Sequence, residues 1–362
     1  MKSGVTNRQI VFILLLTLTS YSVVDISRAM AASAGYGSWF TLLITSIIFS
    51  AVGIIVVSLA NMYKGQMMHE YSCKLIGNFG GYAVSIYYVV YFSLIVVFLG
   101  LQLATILKAD FFPKTPKAAI LLAGIPVFCF IAYKGITALA RLFEMIGMFY
   151  IVVGTTVHVI MFTQGNPNYI LPLFNKADIG NYFAAIKDAI FPFLGIEILL
   201  IIPFSKENGK KSIITTALTV FAIGLFYILI VESCIMKLGM NDIVHYNSSI
   251  IVAIRDMELP FLDFMKRLDV LFLTVGFMGF FLGITIVYTA ITEYLCRIFK
   301  NAKRMMIVIV LGALSFAACL ILDTVEGFSD FVTSVGIYLG IGAGALIPGL
   351  LLIIAKRRKD IA

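Results

Sequence analysis

Long apolar stretches follow one another along almost the whole chain, separated by short polar segments. Ser212–Met236 contains a single charged residue, Glu232, and Phe331–Ala355 contains none. A membrane-spanning helix needs about 18 or more predominantly apolar residues, so both stretches predict such helices. The same pattern predicts ten spans, at Gln9–Met30, Phe40–Asn61, Tyr82–Leu107, Ala118–Ala132, Leu142–Phe162, Tyr182–Phe204, Ser212–Met236, Leu268–Arg297, Met305–Leu322 and Phe331–Ala355.

Composition agrees with an all-α integral membrane protein. The chain is 61% hydrophobic and 13% charged, whereas soluble domains are about 45–50% apolar and about 25% charged. The net charge of +8 comes from short basic runs beside the apolar spans, which indicates membrane topology and not nucleic-acid binding. No linker or low-complexity segment interrupts the pattern, so residues 1–362 are expected to form one transmembrane domain in the lipid bilayer.

The basic runs also predict the orientation of the chain. Lysine and arginine are enriched in cytoplasmic loops. With the N-terminus inside, the clusters Lys210-Lys211, Lys303-Arg304 and Lys356 to Lys359 all fall on the cytoplasmic side. Both termini are therefore expected in the cytoplasm.

Residues suited to cofactor or metal chemistry are scattered. Five cysteines show no CxxC spacing, and three histidines lie far apart in the sequence. No phosphate-binding glycine loop or nucleophile elbow is present. We expect no enzyme activity, no cofactor and no metal.

Two spans contain residues that interrupt a helix. The sixth has Pro192, Gly195 and Glu197 near its middle, and the first has a polar cluster from Thr19 to Asp25 five helices earlier. Breaks at matching positions in two five-helix halves predict an inverted-repeat transporter fold with a ligand site at the midplane. The alternative is a kink without a ligand, because Pro192 alone can bend a helix.

A broken helix exposes N–H groups at one end and carbonyl groups at the other, which together suit a zwitterionic amino acid. The acids Asp25 and Glu197 are candidates for a ligand or proton role, since carboxylates within membranes are functional by default. Each is also a candidate helix cap, and Asp25 has Arg28 one turn on. Arg141 and Glu144 are expected to form an i,i+3 pair.

Three further features are expected to be structural. Gly336, Gly340 and Gly344 form a small-residue ridge typical of helix packing. Tyr87, Tyr88 and Tyr91 cluster in the third span, with Tyr91 deep enough to reach a central site. In the external segment Leu238 to Arg267, the stretch from Ser248 to Ile254 predicts a short helix with serine at its start.

Several motifs together resemble the B-subunit family of spore germination receptors, within the amino acid–polyamine–organocation transporter superfamily. They are Ala34-Gly35 followed by Trp39, Arg141 with Glu144, the stretch Phe191 to Glu197, and Arg267-Leu268-Asp269 with Leu271-Phe272. The chain departs from the family at the first break, where Ser20, Tyr21 and Ser22 replace the common glycine and Ser27 stands near an expected proline.

The resemblance implies a nutrient-sensing subunit in the spore inner membrane of a sporulating bacterium. It implies a receptor A subunit and a lipoprotein C subunit as partners, and a small nutrient, an amino acid, as ligand. By position, the ligand pocket is expected to be lined by Ser20, Tyr21, Ser22, Tyr91, Phe193, Leu194, Gly195 and Thr285. A proton- or sodium-coupled amino acid transporter and a membrane scaffold with a decayed pocket remain the alternatives.

The predicted topology can be tested by cysteine labelling. Single cysteines near Lys210 and Lys303 should be shielded from an impermeant thiol reagent in intact cells, while one near Asn166 should react. Labelling near Lys303 with none near Asn166 would invert the orientation.

Overall fold

The computed structural model describes residues 4–22, 24–204, 209–246, 248–257 and 268–358. The described part is almost entirely helical, and its helices account for all ten predicted spans. They are α1 (Asn7–Ser22), α2 (Ile26–Ala34), α3 (Ser38–Met62), α4 (Met68–Asp110), α5 (Lys117–Lys134), α6 (Ile136–Gln164), α7 (Ile179–Ala184), α8 (Ile186–Ile190), α9 (Gly209–Leu238), α10 (Met240–Ile243), α11 (Ser249–Arg255), α12 (Leu268–Ile298), α13 (Arg304–Leu322), α14 (Phe328–Ile341) and α15 (Ile347–Arg358).

Eight helical stretches in the described residues are long and apolar enough to cross a membrane. They cover the predicted spans two to five and seven to ten, and the first of them, Ile26–Met62, also includes α2. No stretch covers the whole first or sixth span because both are interrupted: α1 and α2 form the first segment, and α7, α8 and two short 3₁₀ turns form the sixth. The predicted all-α membrane fold with broken first and sixth helices is therefore confirmed.

The two interrupted segments form the core of the molecule. Ten of the sixteen residues of α1 are buried, and every residue from Phe191 to Ile202 is buried. Helix α1 packs against α6, α9, α12 and the sixth segment, while α12 also packs against α4 and α5. The unbroken helices thus surround the broken ones, as expected where irregular backbone must be shielded from lipid.

Helix α4 begins well before the predicted third span, Tyr82–Leu107. The chain bends at Gly77, whose φ of 80° and ψ of 167° are not helical. The part before Gly77 is a separate helical arm, and the part after it contains the predicted span. Helix α4 therefore begins before the predicted span because it includes this additional arm.

The tenth segment changes its helical period next to the sixth. Between α14 and α15, residues Gly342–Leu346 form a π-helical turn. Tyr87 donates a hydrogen bond to the Leu339 carbonyl at 2.7 Å, and Tyr88 donates one to the Ala343 carbonyl at 2.5 Å. A π turn displaces carbonyls from their usual partners, and the two tyrosines of α4 satisfy two carbonyls here.

The small-residue ridge packs against the sixth segment, as its pattern predicted. A Cβ atom on Gly336 would lie 3.2 Å from the Phe191 ring, and one on Gly340 would lie 2.5 Å from the Leu194 side chain. Glycine at these positions lets the tenth segment approach the broken segment closely.

The N-terminal residues lie against the end of the sixth segment. The Val5 N–H donates to the Pro203 carbonyl at 3.1 Å, and Val5 forms an isolated parallel bridge with Phe204. Glu144 pairs with Arg8 at 2.9 Å and accepts a hydrogen bond from Gln9 at 3.2 Å. The expected pairing of Glu144 with Arg141 is thus replaced by contacts with α1, which local sequence spacing does not reveal.

A chain of charges joins four helices at one end of the bundle. Glu293 of α12 pairs with Arg304 at 2.7 Å and with Arg297 at 2.9 Å. Arg297 also reaches Glu70 of α4 at 3.3 Å, and Arg304 donates to the Ala132 carbonyl at the end of α5 at 2.7 Å. These contacts fix the ends of α4, α5, α12 and α13 relative to one another.

The predicted external helix is present as α11, but its serine acts differently from the expectation. Ser248 occupies the N-cap position and makes no side-chain capping hydrogen bond. Arg267 at the end of the predicted external segment, and Lys359 in the last basic cluster, lie outside the described residues.

Removal of the Tyr88 hydroxyl tests its contribution to the π turn. We expect Tyr88→Phe to destabilise the protein by about 1–2 kcal/mol, because the buried Ala343 carbonyl loses its donor. The thermal unfolding midpoint of the purified protein in detergent should fall. Tyr338→Phe is the matched control, because Tyr338 is 77% exposed; equal midpoints for the two variants would contradict the assigned role.

Candidate functional site

The break in the sixth segment lies at Leu194 and Gly195. A 3₁₀ turn, Phe191–Phe193, ends at Leu194, whose backbone is extended (φ −68°, ψ 155°). Gly195 then adopts φ 107° and ψ −9°, and a second 3₁₀ turn, Ile196–Leu200, follows. This left-handed conformation is accessible to glycine and unfavourable for other residues. The freed Pro192 carbonyl accepts a hydrogen bond from Tyr227 at 2.8 Å.

The carboxylate of Glu197 accepts hydrogen bonds at this break. Its oxygens lie 3.1 Å and 3.0 Å from the Gly195 nitrogen, which donates to the carboxylate. Tyr91 of α4 donates its hydroxyl to Oε1 at 2.8 Å. Glu197 is 1% exposed, so the carboxylate is held by these groups and not by water. It therefore stabilises the broken backbone locally, while the ligand or proton role expected for Glu197 stays a prediction.

The first segment breaks without a glycine. Helix α1 ends at Ser22 and α2 begins at Ile26; Val23 between them lies outside the described residues. Thr19 donates to the Leu15 carbonyl and Ser20 to the Thr17 carbonyl, both at 2.7 Å. Both hydroxyls thus bond back to carbonyls of their own helix in its last turns.

Ser20 faces α12 at close range. A Cβ atom on Gly283 of α12 would overlap the Ser20 side chain. The serine therefore serves in packing between α1 and α12, in addition to its backbone hydrogen bond. Ser22 is half-buried at the end of α1.

Two hydroxyl groups border the sixth break without a hydrogen bond of acceptable geometry among the described residues. They belong to Thr17 and Tyr21, which are 0% and 2% exposed. A Cβ atom on Gly195 would lie 3.0 Å from Thr17 and 3.4 Å from the Tyr21 ring. The Tyr21 hydroxyl is also near enough to Glu197 and Tyr91 to interact with both. The structure therefore gathers four of the predicted site residues, Tyr21, Tyr91, Gly195 and Glu197.

Other predicted site residues point elsewhere. The Phe193 ring stacks on Phe49 of α3 at 5.4 Å, and Leu194 packs against Gly340 of α14. Thr285 is buried in α12 and donates to the Phe281 carbonyl at 2.8 Å. The side chains of Phe193 and Leu194 thus diverge from Tyr21, because an extended residue and a left-handed residue interrupt the helical periodicity.

Asp25 lies in a different environment from Glu197. It occupies the N-cap position of α2 but makes no side-chain capping hydrogen bond. Its carboxylate instead accepts a hydrogen bond from Gln102 of α4 at 2.9 Å. Asp25, Arg28 and Gln102 line a cavity of about 430 Å³, which we call the outer cavity. The capping role expected for Asp25 is wrong in this respect, because Gln102 provides the competing donor.

An aromatic layer lies between the outer cavity and the sixth break. Phe98 lines the outer cavity and contacts Phe191 with ring centroids 5.4 Å apart. Phe191 in turn lies 5.9 Å from the Tyr21 ring. Three rings in contact therefore connect the lining of the outer cavity to Tyr21 at the sixth break.

A second cavity lies on the opposite side of the broken segment. It has a volume of about 240 Å³ and is bounded by α3, the sixth segment and the tenth segment. We call it the side cavity. Its lining includes Phe49, Phe193, Gly344 and Glu197. Sequence reasoning placed Gly344 on a packing ridge and gave no signal for this cavity.

Comparisons with known proteins identify the family and relatives along the whole chain. The family described as "Spore germination protein" matches residues 4–326. Spore germination protein YndE of Bacillus subtilis (strain 168) is 22% identical over 360 residues, covering 99% of this chain and 98% of YndE. Spore germination protein GerLB of Bacillus cereus is 20% identical over 356 residues, covering 98% and 94% of the two chains.

Solved transporter structures share the fold. MhsT in complex with L-phenylalanine superposes with a TM-score of 0.70 at 13% identity, covering 99% of both chains. The nucleobase-cation-symport-1 family transporter Mhp1, in a closed conformation with bromovinylhydantoin bound, gives 0.63 at 11% identity and covers 99% of this chain and 80% of Mhp1. At these identities the likeness concerns the fold alone, and it agrees with the predicted inverted-repeat arrangement.

The strained backbone at the sixth break predicts a specific effect of substitution. Gly195→Ala should destabilise the protein by about 1–2 kcal/mol, because alanine disfavours the left-handed region. Its Cβ would also meet Thr17 at 3.0 Å. Gly276→Ala, in α12 with no atom within 4 Å of the new Cβ, should be neutral or stabilising. Thermal unfolding midpoints of both variants measure the difference. An unchanged midpoint for Gly195→Ala would contradict the proposed backbone strain.

Proposed function

This chain belongs to the spore germination protein family, and we propose that it is the nutrient-sensing membrane subunit of a germination receptor. In this proposal it lies in the spore inner membrane with both termini in the cytoplasm. It works there with a receptor A subunit and a lipoprotein C subunit. The ligand is a small amino acid-like nutrient that binds at the broken helices.

The observation that carries this proposal is the arrangement around Glu197. A carboxylate that is 1% exposed joins the sixth break to α4 through Gly195 and Tyr91. Buried carboxylates without a charged partner are destabilising, and within membranes they are typical of functional sites. Tyr21 adds a buried hydroxyl without a hydrogen bond of acceptable geometry at the same place. A bound ligand would supply the missing partners.

The proposed ligand class follows from the charges available at the two breaks. Glu197 offers a negative group to an ammonium. The first turn of α2 receives no side-chain cap from Asp25, so its N–H groups suit an anionic group. The fold accommodates such a molecule in a related case, since MhsT was solved with L-phenylalanine.

The closed state of the site supports a sensing role. Thr17 and Tyr21 lie within 3.4 Å of the position of a Cβ on Gly195, and the Phe98–Phe191–Tyr21 rings separate Glu197 from the outer cavity. Entry from the outer cavity to Glu197 therefore requires α1 and the sixth segment to move apart. A ligand that binds the separated arrangement more tightly shifts the conformational equilibrium toward it.

A secondary amino acid transporter is the alternative, because the same movement could carry a solute across the membrane. Coupling would require an ion site that changes between the two states. Thr285 and Thr289 of α12 stand four residues apart, and each donates its hydroxyl to a backbone carbonyl, Phe281 at 2.8 Å and Thr285 at 2.7 Å. The two hydroxyls thus lie one helical turn apart instead of on adjacent residues, and both already donate to carbonyls. They do not form a pair of adjacent hydroxyls for a coupling ion, which favours sensing.

Purified receptor assembly and proteoliposomes distinguish the two roles. We expect saturable ligand binding but no concentrative uptake under a proton or sodium gradient. Glu197→Gln should weaken binding at least tenfold, about 1.4 kcal/mol, because the charged partner of the ligand is lost. Glu232→Gln is the matched control: Glu232 is a second buried acid, 8% exposed, on α9, and its replacement should leave binding unchanged.

Two results would contradict the receptor assignment. Gradient-driven accumulation that disappears in Glu197→Gln would make the chain a transporter. Failure to bind any of the amino acids tested would favour a scaffold with a decayed pocket.

A further inference from the structure

The side cavity is an apolar space that ends at Glu197, the buried carboxylate of the sixth segment. Phe49 and Val52 of α3 form one wall, Phe193 belongs to the sixth segment, and Gly344 belongs to the tenth. Ile48, which also lines the cavity, is 46% exposed on the outer face of α3. The cavity therefore reaches the surface of the bundle that faces lipid.

Glycine at position 344 leaves open the space between the cavity and the carboxylate. A Cβ atom there would lie 3.6 Å from Oε2 of Glu197 and 3.9 Å from Cγ1 of Val52. These are ordinary contact distances, so a methyl group would fit without a clash. The glycine is thus not required by packing against these two residues, and its effect is to leave room beside Oε2.

The Glu197 carboxylate borders this space and has no positively charged partner among the described residues. Its hydrogen-bond donors are the Gly195 N–H and the Tyr91 hydroxyl, both neutral. Among the described residues, no lysine, arginine or histidine acts on Glu197. Removing an unpaired charge from water costs several kcal/mol, and a cation at Oε2 would offset that penalty.

The same hydrogen bonds indicate which end of a ligand binds at Glu197. The Gly195 N–H and the Tyr91 hydroxyl are the donors that a ligand carboxylate would use at this break. Both already donate to Glu197. The protein's own carboxylate thus fills the anion position, and the position that remains suits an ammonium group.

The walls of the cavity are suited to the body of such a ligand. Its volume of about 240 Å³ equals roughly eight water molecules at about 30 Å³ each, enough for one branched or aromatic hydrocarbon group. Phe49 and Phe193 stack at 5.4 Å along one side. Gly344 belongs to the π turn that Tyr88 contacts, and such local irregularities are often found at functional sites.

We infer that the side cavity and Glu197 together bind an organic amine with an apolar body, with the ammonium group on Oε2 and the hydrocarbon in the cavity. This inference rests on the proposed function and specifies its ligand: the amine is required, the apolar group sets affinity, and a carboxylate is dispensable.

A panel of related compounds tests the inference on the purified assembly. The probes are L-leucine, 3-methylbutylamine, which is leucine without its carboxylate, and N-acetyl-L-leucine, whose nitrogen is uncharged. L-Valine and L-phenylalanine with their decarboxylated and N-acetylated forms extend the panel, and methylamine is the small reference. For the apolar compounds, the amines should bind at least as tightly as the amino acids, and N-acetylation should weaken binding at least tenfold.

Two glycine variants of the tenth segment test the location. Gly344→Val fills the space beside Oε2, where the ammonium group is proposed to lie, and should weaken binding of both methylamine and 3-methylbutylamine at least tenfold. Gly349→Val is the matched control, because no atom lies within 4 Å of its new Cβ; it should leave both affinities unchanged. Thermal unfolding midpoints of the two variants report whether each remains folded.

The outcomes separate this inference from the proposed function. Equal binding of acetylated and free amines, a requirement for the carboxylate, or unchanged amine binding in Gly344→Val would overturn the inference and leave a nutrient receptor. If Gly344→Val misfolds, Gly344→Ala, whose methyl group makes only ordinary contacts, replaces it in the same comparison. Absence of binding by every compound, with normal nutrient responses in spores lacking the chain, would overturn both.

Discussion

The hydrogen bonds from Gly195 and Tyr91 to Glu197 are the contacts on which the centre of the molecule depends. A membrane protein cannot leave broken backbone exposed to hydrocarbon, because each unsatisfied polar group costs several kcal/mol. Here one side chain accepts from the left-handed residue of the break and from a hydroxyl on α4. The break, the acid and the tyrosine are consequently one unit, and no member of it can be interpreted alone.

The helices around this unit make compensating adjustments of their own. Tyr227 supplies a donor to the carbonyl at Pro192, and Tyr87 and Tyr88 supply donors to the tenth segment around its π turn. The glycine ridge brings the tenth segment close to Phe191 and Leu194 of the sixth. Aromatic hydroxyls thus replace much of the backbone hydrogen bonding that an interrupted helix loses, and the irregular regions remain buried in protein.

Much of the architecture follows from the sequence because its determinants are local. Apolar length predicts the ten segments, and Pro192 with Gly195 predicts the sixth break, since both residues act on their own backbone. The positions of Tyr91 and Glu197 were also predictable from their depth. The directions of Phe193 and Leu194 were not, because an extended residue followed by a left-handed one rotates the chain out of helical register. The partners of Glu144 and Asp25 come from α1 and α4, which no spacing rule connects to them. The side cavity depends on the mutual positions of three segments and has no local signature.

The bridge between Val5 and the end of the sixth segment has a mechanical consequence. The Val5 N–H bonds to Pro203, and Arg8 and Gln9 bond to Glu144 of α6. The start of the first segment is therefore tethered to the far end of the sixth and to a helix of the surrounding bundle. If the two broken segments separate near Glu197, the displacement must either pivot about this tether or break it. In both cases an event beside Glu197 is converted into a change at the base of the first helix.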